Sequence, residues 1–164
     1  MSDLQAVTLG FAGAEVDHKI REVGGNNRGP RVEQYLANAG IHTAAPWCAA
    51  FVQFCSDRAA SLLSVKNPLD DVKLEAYVQS YYDWAADKPG RIVGSPRAGD
   101  LILFDFHGAR WDHIGFVAQP PTPEGIAWSV EGNTGDVDQR DGDGVYLKPR
   151  DTKALRVCFV RWAP

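Results

Sequence analysis

The stretch that decides the fold runs from residue 46 to residue 55 and reads Pro-Trp-Cys-Ala-Ala-Phe-Val-Gln-Phe-Cys. A proline directly before a long apolar run is typical of the first turn of a helix, and we predict a helix that continues to about Leu63. Cys48 therefore lies in or beside that first turn, where unpaired backbone N–H groups and the helix dipole stabilise an anion. Because the thiolate is the nucleophilic form of cysteine, this position favours a reactive Cys48.

Length and composition describe one ordinary globular domain, which we expect to span residues 1–164. Of the 164 residues, 45% are apolar and 23% are charged, and the net charge is −4. This charge gives no electrostatic reason to expect a nucleic acid or an anionic membrane as partner. No apolar run approaches the ~20 residues of a membrane span, and residues 1–5 do not resemble the start of a secretory signal peptide. We expect a monomer without nucleic-acid or membrane partners.

The three cysteines, Cys48, Cys55 and Cys158, are odd in number and do not suggest a disulfide framework. Zinc is disfavoured as well, because zinc ligands normally include closely spaced pairs of cysteines. The simplest interpretation is one exposed, reactive thiol at Cys48 and two buried thiols that fill the core.

The first half of the chain is predicted to be helical and the second half to form a β-sheet. Helices are expected over residues 14–23, 30–39, 48–63 and 72–86, the last with a buried stripe that includes Leu74 and Tyr77. Strands are expected over residues 101–104, 113–118, 125–130, 144–147 and 155–160. Because short strands separated by turns favour antiparallel pairing, we predict an α+β fold with helices on one side of an antiparallel meander.

The second half also carries polar residues suited to assist a thiol. His113 begins a predicted strand, and Glu131 and Asn133 follow two positions apart in an extended segment, so they should share one face. Asp112 should point to the face opposite to His113, which leaves Glu131 as the group that orients the histidine. His107 is the weaker alternative for the histidine. A nucleophile, a base and an orienting group, in this order, are the parts of a cysteine hydrolase.

Four segments resemble successive signatures of the CHAP family, the cysteine, histidine-dependent amidohydrolases and peptidases that cut bacterial peptidoglycan. They are Pro-Trp-Cys-Ala-Ala-Phe-Val (46–52), Ala-Gly-Asp-Leu-Ile-Leu-Phe (98–104), Asp-His-Ile-Gly-Phe-Val (112–117) and Val-Glu-Gly-Asn-Thr (130–134). The resemblance spans about residues 12–162 and implies a papain-like fold, with helices packed on an antiparallel sheet of about five or six strands. It also implies Cys48 as nucleophile, His113 as general base and acid, Glu131 as the residue that orients the histidine, and Asn133 as a further catalytic polar group.

The resemblance implies a peptidoglycan hydrolase that cleaves either the bond between N-acetylmuramic acid and L-alanine or a peptide bond of the stem or cross-bridge. The expected setting is a phage endolysin, made in the host cytoplasm without a signal peptide and active at the cell wall. The alternatives are the same chemistry in an antibacterial effector, and a wall-binding or virion component without hydrolytic activity. Trp47 and Trp111, with Trp84 as a further candidate, could stack against the glycan or the peptide, and packing in the core is the alternative for each.

We expect neither a cofactor nor a metal. Some members of the family carry a calcium loop just before the cysteine segment, but residues 24–45 here contain Glu33 as their only carboxylate. The acidic loop 136–143 also fails as a calcium loop, because Arg140 interrupts the required register of ligands. A solvated hairpin tip is the favoured interpretation of that loop.

Wall-lysing activity is therefore expected to survive EDTA and to be lost on treatment with iodoacetamide, because thiol chemistry needs no Lewis acid. The measurement is the clearing of purified cell walls after each treatment, with untreated protein as the control. Loss of activity in EDTA that calcium restores would contradict this interpretation and assign an ion to the acidic loop.

Overall fold

The fold consists of helices packed on one antiparallel sheet, in a computed structural model that describes residues 1–135 and 142–164. The helices are α1 (Asp3–Asp17), α2 (Pro30–Asn38), α3 (Cys48–Leu63) and α4 (Val78–Ala86), and Pro68–Asp71 forms a short 3-10 helix. The strands are β1 (Leu101–Asp105), β2 (His113–Gln119), β3 (Ile126–Thr134), β4 (Gly144–Asp151) and β5 (Arg156–Val160). The predicted α+β class is confirmed, with five strands in the described residues. None of the described helices is long and apolar enough to cross a membrane.

The strand order in the sheet is β4-β3-β2-β1-β5, and every neighbouring pair is antiparallel. Strands β1 to β4 form the predicted meander. Strand β5 departs from it, because the chain returns across the sheet and pairs with the other side of β1, from Leu101 with Val160 to Asp105 with Arg156. The return places β4 and β5 at the two edges and leaves β1, β2 and β3 inside the sheet.

The first helix lies earlier in the chain than the sequence pattern predicts. The prediction covers residues 14–23, whereas α1 begins at Asp3 and ends at Asp17. Its start is capped: the Ser2 side chain accepts a hydrogen bond from the Gln5 backbone, and the Gln5 side chain accepts one from the Ser2 backbone. The small residues of α1 form no clear apolar stripe, so periodicity does not reveal where the helix starts.

The segment before α4 is irregular, although apolar spacing predicts one helix over residues 72–86. Leu74 and Tyr77 precede α4 and are 61% and 40% exposed, so the predicted buried stripe is wrong at these positions. The Tyr81 hydroxyl donates a hydrogen bond to the Glu75 carbonyl at 2.8 Å. This carbonyl is therefore satisfied by a side chain rather than by a helical N–H group.

The central helix, α3, meets the sheet at a glycine. A Cβ atom on Gly132 of β3 would lie 2.7 Å from Cγ of Phe51 and 2.8 Å from Cζ3 of Trp47. Only a glycine leaves room for the helix to approach the strand this closely. The main apolar core surrounds this contact, with contributions from α2, α3, β1 and β2 that include Leu36, Val52, Leu103 and Phe116.

The opposite face of the sheet is buried as well. Ile102, Phe104 and Val117 are fully buried there and form a second apolar cluster. Phe104 lies directly opposite His113, and the residue two places along β2 lies directly opposite Glu131. Since facing residues and every second residue share a face, His113 and Glu131 belong to this second face.

Replacement of Gly132 by alanine is expected to destabilise the fold by about 1–3 kcal/mol, because the new methyl group overpacks the contact between β3 and α3. Gly10→Ala is the matched control, since Gly10 lies in α1 and a Cβ atom there meets nothing within 4 Å. The control should be neutral or slightly stabilising, because alanine favours a helix over glycine. Urea unfolding followed by tryptophan fluorescence measures both variants. An unfolding midpoint of Gly132→Ala equal to that of the parent would disprove the tight contact.

Candidate active site

Cys48 is the first residue of α3, and the start of this helix has no capping side chain among the described residues. Trp47 occupies the N-cap position, and no described side chain caps the free N–H groups of the first turn. Cys48 is only 3% exposed, so the expectation of an exposed thiol is wrong. It borders a cavity of about 40 Å³ instead. The other residues that line the cavity are Pro46, Ala76, Tyr77, Val78, Arg110, Trp111 and Asp112.

His113 is fully buried at the start of β2 and lies between Cys48 and Glu131. Its Nε2 atom lies 2.7 Å from Oε2 of Glu131. Its Nδ1 atom forms no hydrogen bond of ordinary geometry with the described residues, and Cys48 lies close enough to the ring to raise its pKa. Since Nε2 is engaged by the carboxylate, Nδ1 is the ring nitrogen that remains for the thiol.

The surroundings of His113 favour the charged form of the ring. Burial lowers the pKa of His113, but the neighbouring Cys48 side chain and the hydrogen-bonded Glu131 carboxylate outweigh burial and raise the pKa to about 9. The structure thus places a base beside the thiol, and this base binds a proton readily as a stabilised imidazolium.

A glycine allows Glu131 to reach the histidine. Gly115 of β2 lies directly opposite Glu131 of β3, and a Cβ atom on Gly115 would lie 2.6 Å from Cγ of Glu131. The carboxylate side chain therefore crosses over Gly115 toward His113, which lies two residues away on the same face of β2. The glycine of the His-Ile-Gly segment is needed because it makes room for the partner of the histidine.

Arg150 holds Glu131 from its other side, and this is a residue that the sequence reasoning missed. Nε of Arg150 donates to Oε1 of Glu131 at 2.8 Å, and Nη2 donates to Oε2 at 2.5 Å. The Ser129 hydroxyl also donates to Oε1. Burial raises the pKa of Glu131, but the hydrogen bonds from Arg150 and His113 outweigh burial and lower the pKa to about 2. Glu131 is therefore an anion shared by a histidine and an arginine.

The burial pattern of β4 explains why Arg150 was missed. The predicted strand ends at Leu147, whereas β4 continues to Asp151, because an edge strand tolerates Pro149. Along β4 the usual preference is reversed: Leu147 is exposed, while Lys148 and Arg150 are buried. The two-residue spacing of these two cations is the signal in the sequence that places them on a shared face.

Asn133 occupies a distorted position in β3. The strand pairing shifts its register between Glu131 and Thr134, and Asn133 has a left-handed backbone with a φ of 55°. Its side chain is buried, but neither the amide nitrogen nor the oxygen forms a hydrogen bond within the described part of the chain. The expectation that Asn133 shares a face with Glu131 requires a regular strand, and the register shift removes that basis. A hydrogen bond thus joins His113 to Glu131, whereas none joins Asn133 to either residue.

The other two thiols and the alternative histidine lie apart from this arrangement. Burial raises the pKa of Cys55 well above its ordinary value and raises the pKa of Cys158 to about 11. Both thiols therefore stay protonated and unreactive near neutral pH. His107 is exposed and pairs through Nδ1 with Asp112. Because Asp112 is engaged in this way, it does not take the place of Glu131 at His113.

The tryptophans expected to bind substrate differ in their positions. Trp47 is fully buried, stacks on Tyr35 at 5.5 Å and donates from Nε1 to Glu22 at 2.9 Å. The structure gives no support to its assignment as a substrate-binding residue, because the ring is fully buried. Trp111 is mostly buried but lines the cavity beside the thiol, and Trp84 lines a separate surface pocket.

A larger groove adjoins this cavity. It has a volume of about 760 Å³ and shares Pro46, Ala76 and Tyr77 with the lining of the small cavity. One wall is formed by residues 38–41 at the end of α2, and the other by the irregular residues 73–77. The thiol is therefore the neighbour of an open groove on the surface.

No cluster of three or more His, Cys, Asp or Glu side chains that suits a metal ion occurs in residues 1–135 and 142–164. Within the acidic loop, Asp136, Asp138 and Asp141 lie outside the described residues. Asp143 is described, and its carbonyl accepts a hydrogen bond from the Glu22 backbone at 2.7 Å. This end of the loop is thus held against the segment that follows α1.

The comparison with protein families gives one match. The family model of the CHAP domain matches residues 40–133, more than half of the chain, and the matched part contains Cys48, His113, Glu131 and Asn133. The chain belongs to the CHAP family. Membership implies, in broad terms, an amidase or peptidase that acts on peptidoglycan. No curated protein and no solved structure matches this CHAP domain.

The imidazole of His113 in this CHAP domain is expected to titrate at about pH 9 in the folded protein. Because the folded pKa is raised above 6.5, the stability that His113 contributes is fully present below pH 6.5 and is lost as the pH rises through 9. Glu131→Gln removes the anion beside the ring and should move the titration to lower pH by about one unit or more. NMR of the imidazole as a function of pH measures both midpoints.

Asp100→Asn is the matched control for this titration. Asp100 is a buried carboxylate paired with Arg161 at 2.9 Å, and it precedes β1 at the end of that strand away from His113. The control should leave the His113 titration unchanged. An unshifted midpoint in a folded Glu131→Gln protein would show that the carboxylate does not govern the histidine.

Proposed function

We propose that this CHAP domain is a peptidoglycan hydrolase that cleaves an amide bond by nucleophilic attack of Cys48. The observation that carries the proposal is the position of Cys48 at the uncapped start of α3, beside a buried His113 whose Nε2 lies 2.7 Å from the Glu131 carboxylate. A nucleophile beside a base, with the base held by an orienting group, is the arrangement of covalent amide hydrolysis.

In the proposed first step, His113 takes the proton of Cys48, or already holds it in an ion pair, and the thiolate attacks the carbonyl carbon of the amide. Glu131 engages Nε2 of the ring and so leaves Nδ1 to the thiol. The pKa of His113, raised to about 9 by its neighbours against the effect of burial, supports this step because such a ring holds the proton at neutral pH.

The negative charge that develops on the carbonyl oxygen is met by backbone N–H groups in the first turn of α3, including that of Cys48. Two features support this role: no described side chain caps these groups, and the positive end of the helix dipole lies there. The imidazolium of His113 then protonates the leaving amine as the C–N bond breaks. A water molecule hydrolyses the thioester and releases the Cys48 thiol and a carboxylic acid.

The size of the groove beside the thiol is consistent with a long substrate, because the groove extends well beyond the proposed position of the reacting bond. Ala39, Ile41 and Leu74 give it a largely apolar lining, which suits a peptide with short apolar side chains. Trp111 remains the aromatic candidate for a substrate contact, because it borders the cavity of the thiol. Asn133, whose buried amide forms no hydrogen bond within the described residues, is proposed as the further polar group of the site.

We propose that residues 1–164 act as one catalytic domain at the bacterial cell wall, in a phage lysin or in an antibacterial effector. Mass spectrometry of the muropeptides released from purified walls assigns the bond that is cut. A released intact stem peptide marks cleavage next to N-acetylmuramic acid. A shortened stem or an opened cross-bridge marks a peptidase, and binding without any released fragment favours a non-hydrolytic wall-binding component.

Cys48→Ala is expected to lower the rate of wall lysis by about 10³-fold or more while the fold is retained, because the variant lacks the nucleophile. Cys55→Ala is the matched control on the same helix. It should keep its activity and lose about 1–2 kcal/mol of stability, as expected for truncation of a buried side chain. A zymogram with purified cell walls, together with thermal unfolding, measures both properties. Lysis by Cys48→Ala at the parental rate would rule out the mechanism.

A further inference from the structure

Arg150 is a fully buried cation that joins the proposed catalytic groups through Glu131. The rings of Phe104 and Phe106 lie 5.1 Å and 5.4 Å from its guanidinium carbon. The same two rings each lie 5.8 Å from the ring of His113. Arg150 and His113 therefore share one aromatic wall as well as one carboxylate.

A thiolate at Cys48 creates a charge imbalance in this buried setting. Cys48 and Glu131 are 3% and 0% exposed, so water does little to stabilise two anions there. With His113 as the only cation, the ionised site would carry a net negative charge, and an unbalanced buried charge is strongly unfavourable. Within the part of the chain that the structure describes, Arg150 supplies a second cation, and the charges of Cys48, Glu131, His113 and Arg150 then sum to zero.

We propose that Arg150 is a positioning residue that balances the Glu131 carboxylate, so that the buried site can hold a second negative charge on Cys48. Its catalytic meaning rests on the proposed function, but its test does not, because ionisation of a thiol is measured without turnover. Arg150 lies outside residues 40–133, the part of the chain that matches the family model. Family membership alone therefore assigns it no role.

The ionisable groups near the site on the strands and on the loop before β2 have partners of their own. Arg156 of β5 lies 5.0 Å from the ring of Trp111 and pairs with Asp105 of β1. Lys148 of β4 donates from Nζ to a backbone carbonyl. Asp112, which precedes β2, pairs with His107. Among the described residues, Arg150 is the cation that the strands place on Glu131 in addition to the catalytic histidine.

Two further groups border Cys48 on the side of the helices. Tyr81 of α4 lies near the thiol, but burial raises the pKa of its phenol well above the ordinary value, so this group stays neutral. Arg110 lines the cavity beside Cys48 and is exposed, so water screens its charge. Neither group replaces the buried counter-charge of Arg150.

The test compares the pH dependence of Cys48 alkylation by iodoacetamide in the parent and in Arg150→Met. Loss of the cation should move the midpoint of the alkylation rate to higher pH by about one unit or more. Arg150→Lys keeps the charge but loses the two-pronged contact, so it should move the midpoint less. Mass spectrometry of fragment ions that separate Cys48 from Cys55 identifies the modified thiol.

Arg161→Met is the matched control, because Arg161 is also paired with a buried carboxylate, Asp100, and lies away from the site. It should leave the alkylation midpoint unchanged. A merely structural ion pair predicts that Arg150→Met lowers the unfolding temperature without moving the alkylation midpoint, and that result would overturn the proposal. Arg150→Met could also shift the alkylation midpoint although the parent protein does not lyse cell walls. That result would support the role of Arg150 and refute only the proposed function.

A double variant separates charge from packing. Glu131→Gln combined with Arg150→Met removes both buried charges, and a buried pair removed together is often tolerated. The remaining thiolate and imidazolium balance each other, so most of the shift caused by Arg150→Met should be reversed. If Arg150→Met does not fold, Glu131→Gln is compared with the double variant, and the protein that keeps Arg150 should have the lower midpoint. Equal midpoints in that comparison, or no reversal in the double variant, would overturn the proposal.

Discussion

The close approach of α3 to β3 at Gly132 is the constraint on which the site depends. A side chain at this position would collide with two aromatic residues at the start of the helix, so a bare backbone brings the first turn of α3 onto the strand. The preceding residue, Glu131, points to the opposite face and crosses Gly115 to reach His113. One glycine in each of two neighbouring strands thus sets the spacing from thiol to histidine and from histidine to carboxylate.

The position of Trp47 follows from the same constraint and gives the residue a supporting role. It stacks on Tyr35 and donates a hydrogen bond to Glu22. Tyr35 in turn donates its hydroxyl proton to Glu15, which also pairs with Arg31. The start of α3 is therefore held by aromatic and ionic contacts with the two preceding helices. Such support suits a nucleophile, because a reacting atom must be held within a fraction of an ångström of its productive position.

The parts of the site with a local signal were predictable from the sequence. A proline before an apolar run marks the helix of Cys48. The strand that begins at His113 carries a glycine two residues later, at the position where the Glu131 side chain crosses. For Arg150 the sequence offers only its two-residue spacing from Lys148, because its contact with Glu131 is set by strand register and its strand passes through a proline. The first helix was misplaced because it has no apolar stripe. The segment before α4 was predicted to be helical, but there a tyrosine hydroxyl takes the place of a helical N–H group. The burial of Cys48 was missed because its walls come from loops without periodicity.

The burial of Cys48 means that a substrate of the proposed hydrolase needs a path to the thiol. A cavity of about 40 Å³ has room for a few water molecules at most, so an amide with its flanking groups does not fit beside the thiol until a wall moves. Two residues of this wall, Tyr77 and Arg110, are exposed and are joined by a hydrogen bond of 3.3 Å. Neither residue lies within a helix or a strand, so their separation disrupts little regular structure. If the groove holds the substrate of the proposed hydrolase, separation of Tyr77 from Arg110 is the route to Cys48 that disturbs least structure, and the buried His113 and Glu131 would then act on the amide with little screening by water.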